Sequence, residues 1–219
     1  VLSKQNPLAT KKYIKLLPLF DNLQKLYTVL ASARRRRGAI EFESTETKML
    51  MDEYGRIDRI EPRVRNEAHR MIEECMLAAN LCAADFLIRC EHPGLYRVHE
   101  GPSAERLAKL RGYLSMAGLQ LEGGEKPKSS DYAKLLDQIR SRPDVQPLQT
   151  TVLRSMQQAI YSPHQSGHFG LAYEAYTHFT SPIRRYPDLL VHRAIKALVH
   201  GKRWTLAKGA EEMARWESL

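Results

Sequence analysis

Residues 176–193, YTHFTSPIRRYPDLLVHR, combine a helix-start signal with a cluster of charges. Ser181-Pro182 has the composition of a helix N-terminus, where a serine caps free backbone N–H groups and proline fits the first turn. That places Arg184 and Arg185 in the first turn, at an end that already carries partial positive charge and ordinarily attracts carboxylates. Two guanidinium groups there make physical sense if an anion binds among them. At helical spacing Arg184, Asp188 and His192 share one face, so Asp188 is placed to steer an arginine or to fix a histidine tautomer. The same pattern also fits an ordinary exposed helix start with incidental Arg–Asp pairs.

The elements around this stretch read as helix-rich. Lys11 to Ala33 carries Leu16, Leu19, Leu23, Leu26 and Leu30 at helical spacing, with Pro18 marking a kink or the true start. Arg34–Arg37 follow, either a solvated basic run or a contact for RNA phosphates. Ala39–Glu43 alternates like a strand, with Phe42 on the side of Ile40, either in a core or stacked on a base. Lys48–Asp52 and Arg56–Ile60 flank Glu53-Tyr54-Gly55, a hairpin signal. Pro62 to Cys90 is the longest helical pattern, with Ile72, Cys75, Met76, Ala79, Ala83, Phe86 and Leu87 as its apolar face. Glu73, Glu74 and Asn80 border that face, and a buried asparagine needs hydrogen-bond partners.

Further on, Leu95–His99 reads as a short strand and Ser103–Ala117 as a helix capped by Ser103. Leu119–Ser130 reads as a loop, and Asp131–Arg140 and Gln149–Tyr161 as helices, with a turn framed by Pro143 and Pro147. His168–Tyr173 reads as a strand, Ser181–Val199 as a helix and Ala207–Glu217 as a helical tail. The fold class expected is α+β, helix-rich, with a few antiparallel strands that complete a sheet begun elsewhere.

Composition narrows the function. The net charge of +9 and a pI near 9.5 favour an acidic partner such as nucleic acid. No run approaches the roughly 20 apolar residues of a membrane span. Cys75, Cys82 and Cys90 match no zinc or redox spacing, which predicts buried thiols in a reducing cytoplasm. Val1-Leu2-Ser3-Lys4 has no initiator methionine and no apolar signal core, which predicts a chain that begins inside a longer protein.

Three strings carry a resemblance: RGAIEFES (37–44), RNEAHRMIEECMLAAN (65–80) and the long run from Ala159 to Leu198 that contains SGHFGLAYEAYTHFTSPIRRYPDLLVHR. LYRVHEGPS (95–103) and GGEKP (123–127) add to it. Together they closely resemble the ribonuclease II/ribonuclease R family, exoribonucleases with an RNB catalytic domain, and within it the ribonuclease R branch. The resemblance implies processive 3′→5′ hydrolysis of single-stranded RNA to nucleoside 5′-monophosphates, assisted by divalent ions, usually magnesium. It implies an RNB domain flanked by cold-shock and S1-type domains, neither of which matches this chain.

Carried over residue by residue, Arg184 matches the family arginine at the scissile phosphate, with charge stabilisation as its role. Arg185 is a candidate RNA contact beside it. Phe42 matches the aromatic that clamps terminal bases, and Glu73 the glutamate implicated in ribose recognition. His168, Tyr173, Asp188 and His192 lie in the matched strings as candidate RNA-binding residues. A structural role competes for these four and for Asn80, because buried polar groups need partners in any case.

The family's metal site is an aspartate cluster, D-x5-D-x-D-D, and it is not found in this sequence. The nearest candidates, Asp52 and Asp58, lack the adjoining pair. Residues 1–219 are therefore expected to be the C-terminal portion of an RNB domain, inactive alone, with the Mg2+ ligands upstream. The alternative is a non-catalytic RNA-binding module that retains the phosphate site.

Overall fold

A computed structural model describes residues 6–42, 46–63 and 66–205. Their fold is α+β and mostly helical, with two separate two-stranded antiparallel sheets. The chain divides into two compact units, one formed by residues 1–32 and 42–75, the other by residues 33–41 and 76–219.

In the first unit a short helix α1 (Pro7–Lys12) and a 3-10 turn lead into α2 (Leu17–Arg37), whose last turn lies in the second unit. Pro18 sits in the first turn of α2, where its missing N–H is not needed, so it marks the true start. Strands β1 (Glu46–Met51) and β2 (Ile57–Arg63) form the expected hairpin, with Met49 opposite Ile60 and Lys48 opposite Glu61. The turn is built by Asp52, whose Oδ1 accepts from the N–H groups of Tyr54 (2.9 Å) and Arg56 (2.8 Å). Gly55 adopts φ +73° there.

Helix α3 (Glu67–Arg89) starts five residues later than the pattern suggests, because Pro62 belongs to β2. Its buried stripe also differs. Met71, Glu74, Leu77, Asn80 and Ala83, then Ala84 and Leu87, are buried, whereas Ile72 is 54% exposed. The stripe holds a glutamate and an asparagine, so an apolar count shifts it to the wrong side of the helix. The thiols follow the same correction: Cys82 is exposed and Cys75 and Cys90 are half-buried, contrary to the expected burial.

The second unit is built around the part of α3 from Met76 onward and a later helix, α7 (Tyr186–Val199). Ala83 and Leu87 pack with Val191 and Ala194, flanked by Phe179 and Trp204. Strand β3 (Tyr96–Val98) lays Tyr96 and Val98 against Ala84 and pairs with β4 (Ile160–Ser162). Helix α4 (Ala104–Met116) is capped as expected, with Ser103 Oγ accepting from Arg106 N–H. It packs against α6 (Val145–Ser155), which also contacts α5 (Ser129–Ile139).

Four expectations fail locally. Residues 39–42 form no strand: Ile40 N–H bonds only to Gly170 O (2.8 Å), and Gly38, at φ +76° beside Ser130, ends α2. Helix α6 starts early, with Pro147 tolerated in its first turn, and residues 160–162 become a strand paired with β3. Residues 168–173 form a 3-10 turn closed by Ala172 at φ +54°. Helix α7 begins at Tyr186 instead of Ser181. Glu43 and the predicted tail 207–217 lie outside the described residues. No helix among the described residues is long and apolar enough to cross a membrane.

Leu87 is fully buried between α3 and α7, so Leu87→Ala is expected to cost about 2–5 kcal/mol. Ile72→Ala on the same helix is expected to cost less than about 1 kcal/mol. Urea unfolding of the two variants measures the difference, and equal losses would refute this orientation of α3.

Candidate phosphate-binding site

The segment 176–185 has almost no regular structure, so its backbone polar groups must find partners elsewhere. Side chains supply several of them. Asn80, buried on α3, accepts at Oδ1 from Phe179 N–H (2.9 Å) and Thr180 N–H (3.1 Å). Its Nδ2 donates to Tyr176 Oη (2.7 Å). Thr177 Oγ1 donates to Leu95 O (2.5 Å), and Arg97 N–H to Tyr176 O (2.8 Å), which ties the segment to β3. From α7, His192 stacks on the Phe179 ring at 4.1 Å and its Nε2–H donates to Phe179 O (2.8 Å).

The next residues form a turn. Arg184 and Arg185 N–H groups both bond to Ser181 O, and Ser181 N–H bonds to Asp188 Oδ1 (2.7 Å). Asp188 lies in the first turn of α7 and is completely buried. The same oxygen accepts from Arg185 Nη2 at 2.7 Å. This corrects the sequence reading: the arginines precede the helix, and the first turn holds the carboxylate that its dipole favours. Arg184 lies outside the helix, so it does not share a helix face with Asp188 and His192. Asp188 steers Arg185, while His192 goes to Phe179. Asp188 Oδ2, Arg185 Nε and Thr180 Oγ1 are buried with no hydrogen-bond partner among the described residues.

Behind the turn lies a cluster of rings. Tyr173 stacks on Tyr176 at 5.8 Å and carries the Arg37 guanidinium at 4.0 Å. His168 packs edge-on against Tyr176 and His99, with its Nδ1 accepting from Leu171 N–H. His178 packs against Tyr176 and Tyr161, and its Nδ1 lies 2.6 Å from Tyr161 Oη. Arg97 lies over the Tyr161 ring at 4.6 Å. Burial pushes His168 down to about 3, helped by His99 and Arg97. Burial also pushes His178 down to about 4, and the charges of Arg185, Arg97 and Arg184 add to it against the opposing pull of Asp188. Both imidazoles are therefore neutral at physiological pH. Arg185 is paired with one buried carboxylate, while Arg97 lies over a ring and Arg184 is exposed, so positive charge is in excess here, which suits an anion.

Of the sequence candidates, Arg184, Arg185, His168, Tyr173, Asp188 and His192 all lie in the second unit. Arg184 is exposed, Arg185 is largely buried on Asp188, and Asp188 is sealed from solvent. Phe42 and Glu73 lie in the first unit, both half-buried, and the glutamate next to Glu73, Glu74, is the buried one. Sequence reasoning missed Arg97 and His178. Arg97 had one faint signal, a single charge between the buried Tyr96 and Val98 of a short strand. Among the described residues no group of three His, Cys, Asp or Glu side chains could hold a metal ion. Asp52 serves the hairpin turn instead.

The sequence profile of the RNB domain matches residues 3–201. The chain belongs to the RNB family. Among curated relatives, this RNB chain is 51% identical to ribonuclease R of Vibrio cholerae over 205 residues, 91% of this chain and 25% of that protein. Two solved structures of Mycoplasma genitalium RNase R, with ribose-methylated single-stranded RNA and with double-stranded RNA, superpose with TM-scores of 0.84 and 0.83. Each is 29% identical, and they cover 91% and 89% of this RNB chain and 32% and 36% of their own. The RNB chain thus spans about a quarter of the length of the curated relatives it matches.

Removing Asp188 strands a largely buried guanidinium and the Ser181 N–H, so Asp188→Ala is expected to cost about 3–5 kcal/mol in chemical denaturation. A loss under about 1 kcal/mol would contradict the assigned pairing. Acid acts through the histidines. With His168 at about 3 in the folded chain against an ordinary value of 6.5, stability is fully present above about pH 6.5 and declines as pH falls toward 3. His168→Asn, which keeps an acceptor for Leu171 N–H, is expected to flatten that decline between pH 6.5 and 4. An unchanged slope in thermal melts across this range would rule out His168 as its source.

Proposed function

We propose that this chain is the C-terminal part of the RNB catalytic domain of a processive 3′→5′ exoribonuclease that hydrolyses single-stranded RNA to nucleoside 5′-monophosphates. The observation that carries this reading is the turn 181–185, which holds Arg185 on one buried carboxylate and leaves the neighbouring Arg184 exposed. Excess guanidinium charge on a fixed backbone is what a phosphodiester requires. The RNB family membership and the RNA complexes of its structural relatives support RNA as the partner.

In this reading Arg184 stabilises charge on the scissile phosphate and Arg185 supports it. Phe42 and Glu73 contact the terminal base and ribose. His168, Tyr173, Asp188 and His192 serve RNA binding by holding the turn and the ring cluster in place. The described residues do not fit a metal ion, so the magnesium that assists hydrolysis is assigned to ligands in other parts of the parent protein. The chain alone is then inactive. The three free thiols suit the reducing cytoplasm.

The test uses the parent protein, labelled single-stranded RNA and magnesium. Arg184→Lys and Arg184→Ala are expected to slow release of monophosphates by about 100-fold or more, with RNA affinity changed by less than about ten-fold. Unchanged cleavage removes Arg184 from the chemistry. Salt-sensitive RNA binding with no cleavage by the wild-type parent establishes the non-catalytic binding module instead.

A further inference from the structure

The charges of three arginines act on one neutral imidazole, that of His178: Arg97 of β3, which lies over the Tyr161 ring that bonds to His178, and Arg184 and Arg185 of the turn before α7. Facing the same imidazole are Tyr161 of β4, Tyr176, His168 and the carboxylate of Asp188. Asp188 is already committed, through Oδ1, to Arg185 and to Ser181 N–H. Its Oδ2 and the Arg185 Nε are buried without a hydrogen-bond partner among the described residues. Like charges held together in a partly buried place are costly unless an anion joins them.

The rings fix how His178 would meet that anion. Tyr161 Oη lies 2.6 Å from His178 Nδ1. The Arg97 guanidinium, 4.6 Å over the Tyr161 ring, favours the phenol as the donor in this bond. With Nδ1 accepting, the proton of the neutral imidazole resides on Nε2, which becomes a hydrogen-bond donor.

We propose that Arg97 and His178 are binding residues of the same phosphate site as Arg184, Arg97 supplying a second guanidinium and His178 an Nε2–H donor to a phosphate oxygen of the RNA. This rests on the reading of Arg184 as a phosphate ligand, and it gives the site donors from β3 and from the segment before the turn. Burial is the main reason the imidazole is neutral and the arginine charges add to it, so a bound phosphate that offsets those charges raises the His178 midpoint.

The experiment is an NMR titration of the histidine Cε1–H signals of the 219-residue chain, with and without a short oligoadenylate, His178 being assigned through His178→Gln. The His178 midpoint is expected to rise by about one pH unit or more in the complex. Arg97→Gln is expected to raise the midpoint of the free chain, by removing a repelling charge, and to weaken oligoadenylate binding about ten-fold or more. His178→Gln, whose side-chain amide nitrogen can replace the Nε2–H donor, is expected to keep affinity within about three-fold, whereas His178→Leu loses about ten-fold. If Arg184→Gln weakens binding while Arg97→Gln does not, or while the His178 midpoint stays unmoved in the complex, the proposal is overturned and the Arg184 reading stands. If neither the wild-type chain nor the parent protein binds oligoadenylate, both fall.

Discussion

Two buried side-chain acceptors hold this fold's functional segment. Asn80 Oδ1 takes the N–H groups of Phe179 and Thr180, and Asp188 Oδ1 takes that of Ser181. Three consecutive residues are thus fixed by side chains from two different helices, α3 and α7, which pack on each other through Leu87 and Val191. A stretch with neither helix nor ladder would otherwise bury backbone donors without partners, at a cost of about 1–3 kcal/mol each. The helix pair therefore does more than form a core. It carries the two acceptors to the same short segment, and the position of Arg184 and Arg185 follows from that.

The electrostatics follow from the same packing. Burial keeps His168 and His178 neutral, so the ring cluster adds no positive charge to a region that already holds Arg97 and Arg185. Were the imidazoles charged, the repulsion would fall on the residues the acceptors are holding. Asp188 offsets part of the arginine charge and is sealed from solvent, so its charge is used inside the site. What remains is excess positive charge beside a backbone held by buried side-chain acceptors.

The sequence made legible what depends on local chemistry. The β1–β2 turn followed from Glu53-Tyr54-Gly55, and α4 from Ser103, because a cap or turn residue acts within a few positions of itself. Arg184 was legible through its charge and the family string around it. Residues 168–173 were misread as a strand because part of their order comes from His99 and Ile40, far along the chain, and 181–185 as a helix because the Asp188 side chain takes up the Ser181 N–H and the Arg185 guanidinium. Asn80 could be recognised as a polar group needing bonds, but those bonds lie almost 100 residues away at Tyr176, Phe179 and Thr180. His178 was missed for the same reason, and Arg97 despite its faint signal: Tyr161 joins them, and nothing in the spacing of the three residues reports that contact. The buried stripe of α3 was missed differently, since Glu74 and Asn80 occupy positions that an apolar pattern assigns to solvent.

The corrected start of α7 changes how two neighbouring arginines work. On a helix, adjacent residues project about 100° apart and the backbone sets both directions. In the turn, Arg185 folds inward onto Asp188, while Arg184 remains exposed. One guanidinium anchors the turn and the other extends from it. Orienting a long arginine side chain on a mobile loop costs conformational entropy each time a ligand binds. Here the backbone at Arg184 is already fixed by Ser181 O, and Ser181 in turn by Asp188. Only the side-chain torsions of Arg184 remain to be ordered, so under the proposed phosphate role less of its interaction would be spent on ordering the loop.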